Sequence, residues 1–227
     1  FAIVVLSLVF ACSWVNAYDA GQGVAPDNML QPTLKPEVSV SAALGLSVKA
    51  KTDSDRDGVI WKGENAKGLD VRVGVEIFPW LSVGGEYLRL SGFRDSVHFF
   101  ITTVEHTYRT KLHQTAKLIF WKPKLPLEVV GQKVVLHGLA GIGRLNTKQW
   151  IHKEYINRAY PYDDVTHVYD VKYDFNNTCY ELGGGMEVNI KGGVSISGSF
   201  VQLKAKIKEL SDTFITKAVV LGIGYKF

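Results

Sequence analysis

The chain has 227 residues, of which 46% are apolar and 11% aromatic, and its 26 basic and 22 acidic residues leave a net charge of +4. That is apolar material for one substantial domain, and a charge excess too small to argue for a nucleic-acid-binding surface. After the amino-terminal run described next, no stretch is long and apolar enough to cross a bilayer as a helix, which needs about 20 apolar residues.

Ala2 to Ala11 is apolar apart from Ser7, and Val15-Asn16-Ala17 follows as a small-residue cleavage site. Residues 1–17 therefore read as a secretory signal peptide. With Phe1 first and no basic segment ahead of the run, its amino-terminal part reads as incomplete. A second reading makes Cys12 an acylated lipoprotein cysteine. Cleavage after Ala17 leaves Cys179 as the one cysteine, so no intrachain disulfide framework is available to the exported chain. Residues 18–36, rich in Gly, Pro, Asn and Gln, read as a flexible lead-in, and residues 37–227 as the folded domain.

From Val38 the pattern has period two, which predicts strands with one greasy face. The first places Val38, Val40, Ala42, Leu44, Leu46 and Val48 on that face. The second sets Val71, Val73, Val75 and Ile77 against Arg72, Gly74 and Glu76, and the third Leu81, Val83, Gly85 and Tyr87 against Ser82, Gly84 and Glu86. In the fourth, Leu112, Ala116, Leu118 and Phe120 oppose Lys111, His113, Thr115 and Lys117. The fifth, about residues 134–144, is glycine-rich and ambiguous in facing. The sixth sets Tyr180, Leu182, Met186, Val188 and Ile190 against Glu181, Gly183, Gly185 and Glu187. In the seventh, Val201, Leu203, Ala205 and Ile207 oppose Gln202, Lys204 and Lys206, and a bulge near Ser199 is expected because the first half alternates in the opposite phase. The eighth sets Ile215, Val219, Leu221, Ile223, Tyr225 and Phe227 against Thr216, Ala218, Gly222 and Gly224.

The connections decide between a soluble barrel and a membrane barrel. Gaps at about 51–68, 94–108 and 148–176 are long, whereas Pro79-Trp80, residues 122–127 and Lys191-Gly192-Gly193 are short, and the short ones all fall on the side of both termini. The gap at 209–213 departs from this rule. Long loops on one rim and tight turns on the other are the pattern of outer-membrane barrels. Phe78, Trp80, Phe120, Trp121, Tyr225 and Phe227 gather toward the short turns and are expected to form the periplasmic aromatic girdle. The predicted fold is all-β, an eight-stranded antiparallel up-and-down transmembrane barrel in a bacterial outer membrane.

The last strand, with Ile223, Tyr225 and terminal Phe227 at alternate positions, resembles the carboxy-terminal signature read by the outer-membrane assembly machinery. Strand count and loop asymmetry over residues 37–227 resemble the outer-membrane protein A-like transmembrane domain and its small-barrel relatives. The resemblance implies assembly through that machinery and contact with outer-membrane lipid and lipopolysaccharide, but no particular activity.

Arg72, Lys117, Lys204, Lys206 and His137 are expected to face the same interior as Glu76, Glu86, Glu181 and Glu187. Because an eight-stranded barrel is only just filled by its side chains, this network should plug the lumen. A narrow porin-like channel is the alternative. In the first outward loop, Asp53, Asp55, Asp57, Val59 and Glu64 match D-x-[DN]-x-[DN]-G with Glu six residues after the glycine, the spacing of a calcium loop. Trp61, Gly63 and the flanking strands depart from that motif, and an acidic solvated loop is the plainer reading. No cofactor is otherwise required. The third loop interleaves Trp150, Tyr155, Tyr160, Tyr162, Tyr169, Tyr173 and Phe175 with His152, Lys153, Arg158 and His167. These suit either an adaptable surface for a host or surface ligand, or a packed cap and upper girdle. A lipid A-modifying enzyme is the third hypothesis, but no spacing of Ser, His and acidic residues singles out a catalytic set. The sequence favours a structural or adhesin-like surface role over catalysis.

Overall fold

The computed structural model describes residues 32–51, 62–101, 104–129, 132–157, 165–207 and 212–227. Eight strands, β1 (Lys35–Lys51), β2 (Lys62–Phe78), β3 (Leu81–Ile101), β4 (Val104–Val129), β5 (Gln132–Asn157), β6 (Val165–Asn189), β7 (Val194–Ile207) and β8 (Asp212–Lys226), pair antiparallel in sequence order. The sheet closes through β1 against β8, with Val38 opposite Tyr225 and Leu44 opposite Val219. Within the barrel wall, closure removes the unpaired edges that an open sheet would expose.

Alternation then sorts side chains into a lumen face and an outer face. Ser41, Asp70, Arg72, Glu76, Glu86, Glu181 and Ala218 point inward and are buried, while Val40, Val73, Leu182, Leu221 and Ile223 point outward and are exposed. The ambiguous fifth strand resolves the same way, with Val135, His137 and Leu139 buried and Leu136 and Ile142 exposed.

Of the three register shifts among the described strands, one, between Glu76 and Phe78, lies at the β2–β3 turn, and the other two break the phase within the wall. A register shift between Gly45 and Ser47 turns Val48 inward, so it leaves the greasy outer face expected for it. A second, between Ser91 and Phe93, uses Gly92 at φ 93° and turns Phe93 into the lumen. The two are matched: a Cβ on Gly45 would lie 2.6 Å from the Phe93 ring, so the glycine makes the seat for that ring. At the opposite end Gly192 and Gly193, both at φ 81°, close the turn from β6 to β7.

Two strands face the other way from expectation. On β4, Leu112, Ala116, Leu118 and Phe120 are buried inside, and Lys111 and Lys117 are exposed outside. Phe120 therefore does not belong to the aromatic girdle. On β7 the registers run without a shift, so there is no bulge near Ser199. Val201, Leu203 and Ala205 continue the inward series of Ser195 and Ser199, and Lys204 and Lys206 lie outside. Period two reports two faces without saying which is the lumen, and a lumen narrow enough to be filled accepts apolar side chains as readily as the outer face does.

The expected loops at 94–108 and 148–176 are largely strand. β3 and β4 pair on to Ile101 opposite Val104, and β5 and β6 to Asn157 opposite Val165. These stretches lack a greasy stripe, but their Tyr, Thr, Val and Ile content favours extended backbone.

Candidate functional site

The lumen has two layers. Toward the short turns it is charged. Arg72 reaches Asp70 and Glu86, each at 3.2 Å, and Glu181 at 3.8 Å, and the three carboxylates are almost completely buried. Below this cluster Lys124 bridges Glu37 at 2.5 Å and Glu76 at 3.1 Å, Lys226 also pairs with Glu76, and Lys122 pairs with Glu187 at 2.8 Å. The His137 ring shares a 2.9 Å hydrogen bond with Ser199. Between these groups remains a cavity of about 30 Å³, lined by Arg72, Lys122, His137 and Glu187 among others, which is room for a water. Toward the other end the lumen is apolar: Leu88, Leu90, Phe93, Leu112, Leu145, Leu203 and Phe214 are buried there. Within that layer the Thr216 hydroxyl donates to Gln114 Oε1 at 2.7 Å.

Arg72, Glu76, Glu86, Glu181 and Glu187 thus stand in the interior, as expected. Lys117, Lys204 and Lys206 do not. Asp70, Glu37, Lys122, Lys124 and Lys226 take part instead; Lys122 and Lys124 lay in a segment read as a connection, and only the length of β4 brings them into the lumen. Of the calcium-motif residues, Asp53, Asp55, Asp57 and Val59 lie outside the described residues. Glu64 is exposed on β2, opposite Ser47 and Arg94.

Beyond the reach of β1, β2, β7 and β8, strands β3 to β6 continue as a four-stranded sheet. β5 extends about 13 residues past Arg144, roughly 40 Å of strand at ~3.3 Å per residue. The face of this sheet that continues the lumen wall is aromatic, and its cross-strand row Val97–Tyr108–Lys153–Tyr169 spans all four strands. Tyr108 and Tyr155 pack edge to face, His106 and Tyr169 pack against Tyr155, and Lys153 lies 5.5 Å over the Tyr108 ring. Tyr169 and Tyr173 remain 55% and 42% exposed. The opposite face mixes ion pairs, from His98 to Glu105 and from His152 to Asp170, with the exposed Phe100 and Val168. Arg158, Tyr160 and Tyr162 lie outside the described residues.

Around the barrel below this sheet, the outer surface is a band of exposed apolar side chains, including Val40, Val73, Ile119, Leu182, Leu221 and Ile223. At the short-turn end lie the stacked Phe78 and Trp80 and the edge-to-face pair Tyr225 and Phe227. A closed sheet with a filled lumen and a continuous greasy exterior matches a bilayer as its surroundings. The family model of the outer membrane protein beta-barrel domain matches residues 17–227. This chain belongs to that family.

The protein is accordingly located in the bacterial outer membrane. Among solved structures the chain is similar to Ail, the attachment invasion locus protein of Yersinia pestis, with 14% identity over 86% of this chain and 99% of that one and a TM-score of 0.42. It is also similar to the outer membrane protein OprG from Pseudomonas aeruginosa, with 13% identity over 87% and 97% and a TM-score of 0.46, and to Neisserial surface protein A, with 11% identity over 85% and 97% and a TM-score of 0.40. No curated protein matches the chain. In this setting the four-stranded sheet stands outside the bilayer on the face away from the termini. There the Tyr108 hydroxyl, hydrogen-bonded to Tyr155 at 3.2 Å, has its pKa pushed up to about 12, first by that bond and then by burial.

Proposed function

We propose that this outer-membrane barrel serves surface interaction, in the manner of an adhesin, with its lumen plugged. The observation that carries the reading is the projecting sheet, whose aromatic face with Lys153 at its centre stays open to solvent. Tyrosines beside a cation supply rigid, amphipathic contact area at low entropic cost, and apolar surface left exposed outside a membrane marks contact with a partner. The layered lumen argues against conduction. The protein acts by binding rather than by catalysis.

The test compares cells displaying the protein with cells lacking it, for attachment to host cells or matrix. Attachment should rise with the protein and fall at least several-fold with Tyr108→Ala plus Tyr169→Ala, while the heat-dependent gel mobility of the barrel is unchanged. Equal attachment with and without the protein, together with stable conductance steps in planar bilayers, would replace this reading by the porin-like channel. Altered acyl content of lipid A in expressing cells would replace it by the enzyme.

Asp53, Asp55, Asp57, Val59 and Glu64 are proposed to bind calcium, because four carboxylates at that spacing repel one another unless a hard cation lies between them. Calcium should protect this segment from protease better than magnesium does, and Asp53→Asn should remove the difference. Absence of any calcium heat signal at millimolar concentration would leave an ordinary acidic loop. The outward row Ile223, Tyr225 and Phe227 is proposed as the assembly signal.

A further inference from the structure

The projecting sheet ends on a backbone edge. Pairing between β6 and β7 stops at Cys179 opposite Ala205, and above that point no described residue pairs with β6 on that side. Residues 165–176 therefore present roughly 40 Å of strand edge, at ~3.3 Å per residue. Proteins blunt such edges with proline, a bulge or brevity. This stretch has no proline, no glycine and no shift in its register with β5. The edge at the other side of the sheet is shorter, since β2 pairs with β3 as far as Arg94.

Read backwards, the sequence along the β6 edge is complementary to itself. In an antiparallel pair of two such strands centred on Val171, Asp170 of each lies opposite Lys172 of the other, which makes two opposite-charge pairs by symmetry. On the aromatic face Tyr169 of each lies opposite Tyr173 of the other, so that face continues from one sheet into the next. Asp170, Lys172, Tyr169 and Tyr173 are exposed, and Lys172 forms no ion pair with another described residue. Moving the centre by one residue sets Asp170 against Asp170 or Lys172 against Lys172, which repels. Centring on Tyr173 also opposes Lys172 to Asp174, but only residues 170–176 of the edge then overlap, against 166–176 for Val171. Backbone hydrogen bonds supply the attraction in strand addition, and side chains choose the register.

The membrane fixes where the second copy stands. Copies held in one bilayer point the same way, so their β6 strands run parallel. Antiparallel pairing about a twofold axis through the sheet turns one barrel over, and the two copies then lie in outer membranes that face each other. A twofold contact is isologous and closes on itself, so it joins two copies without growing into a fibre. One edge pair is weak, but facing membranes present many at once and bind by their combined valency.

We propose that the β6 edge is a homotypic docking site, where residues 166–176 pair antiparallel, centred on Val171, with the same edge of a second copy in a facing outer membrane. The proposal rests on the surface-interaction reading and names one partner for it: this chain on a neighbouring cell.

The experiment reconstitutes the full chain into phosphatidylcholine vesicles of two fluorescent colours and counts mixed-colour clusters. Wild-type vesicles should cluster with each other several-fold more than with protein-free vesicles. Asp170→Lys or Lys172→Asp alone should bring clustering down to the protein-free level, because each sets like charges opposite one another. Vesicles of the first variant should nevertheless cluster with vesicles of the second, since each then meets opposite charge in the other. Val171→Cys should form a disulfide between chains of different vesicles, because facing Cα atoms in an antiparallel pair lie about 4.5–5.5 Å apart; the native Cys179 is buried and does not compete. Heat-dependent gel mobility checks that each variant keeps its barrel. Wild-type vesicles that cluster no more than protein-free ones overturn the proposal, whether or not the variants fold. So do folded charge variants that cluster as the wild type does or fail to cluster with each other, and so does a Val171→Cys disulfide formed within dispersed vesicles, which would mean side-by-side contact in one membrane. The vesicles hold no host component, so failure here leaves the attachment assay to decide the wider reading.

Discussion

Arg72 is the residue on which the lumen most depends. It is the one cation of its cluster within reach of Asp70, Glu86 and Glu181, whose side chains are sealed from solvent. Removing one partner from a buried charge cluster typically costs about 3–5 kcal/mol, because the remaining charges lose their compensation without regaining water. Arg72→Ala should therefore lower the temperature at which the barrel loses its compact gel mobility, and Arg72→Ala with Glu181→Gln should recover part of the loss, since groups in one network do not add independently. An unchanged transition in the single variant would show that the carboxylates do not rely on Arg72. Arg72, Glu86 and Glu181 were legible in the sequence, because each lies on a strand whose other face is largely apolar, whereas Asp70 was not singled out. The lysines of the lumen were not legible either. Lys117 looks like a lumen residue as long as Leu118 and Phe120 are assigned to lipid, and the two assignments fail together once Phe120 is found 1% exposed inside.

At the scale of elements, β8 shows what alternation can specify. Its outward residues Val219, Leu221, Ile223, Tyr225 and Phe227 are apolar, its inward residues are small or polar for much of their length, and the structure keeps that sorting to the carboxy terminus. A lipid-facing arginine near the midplane costs about 2–4 kcal/mol, a cost that fades near the interface. Leu221→Arg should accordingly deplete the assembled barrel from the outer membrane, whereas Lys217→Arg, at an exposed position that already holds a cation, should not. Deleting Phe227 should also reduce assembly while leaving export intact. An assembly assay that finds Leu221→Arg and Lys217→Arg equally abundant would mean the outward face of β8 does not meet lipid. Ala218, by contrast, does not look onto water and carboxylates, although it is a lumen position. It is buried in the apolar layer beside Val201 and Val220, so a charge there would meet a dry surround. The projecting hairpins show the opposite limit of alternation. In the described residues 97–101, 104–108, 148–157 and 165–175 both faces carry large or polar side chains, so no stripe announces a strand, and pairing across four strands sets the conformation.

For the molecule as a whole, alternation and turn chemistry alone specify an all-β chain of eight amphipathic segments, tight turns on the side of the termini and an outward apolar row through Ile223 and Tyr225 to Phe227. These follow from local rules: period two follows from the pleat, and Gly192-Gly193 permits a turn that few other residue pairs would. Which face of β4 and β7 turns inward, and that the lumen is charged at one end and apolar at the other, emerge only in the assembled barrel. Closure is the cause. A strand's alternation is symmetric with respect to its two faces until its neighbours fix the curvature, and the stagger that brings Lys117 beside Arg144, or Lys124 beside both Glu37 and Glu76, exists only after β8 has paired with β1.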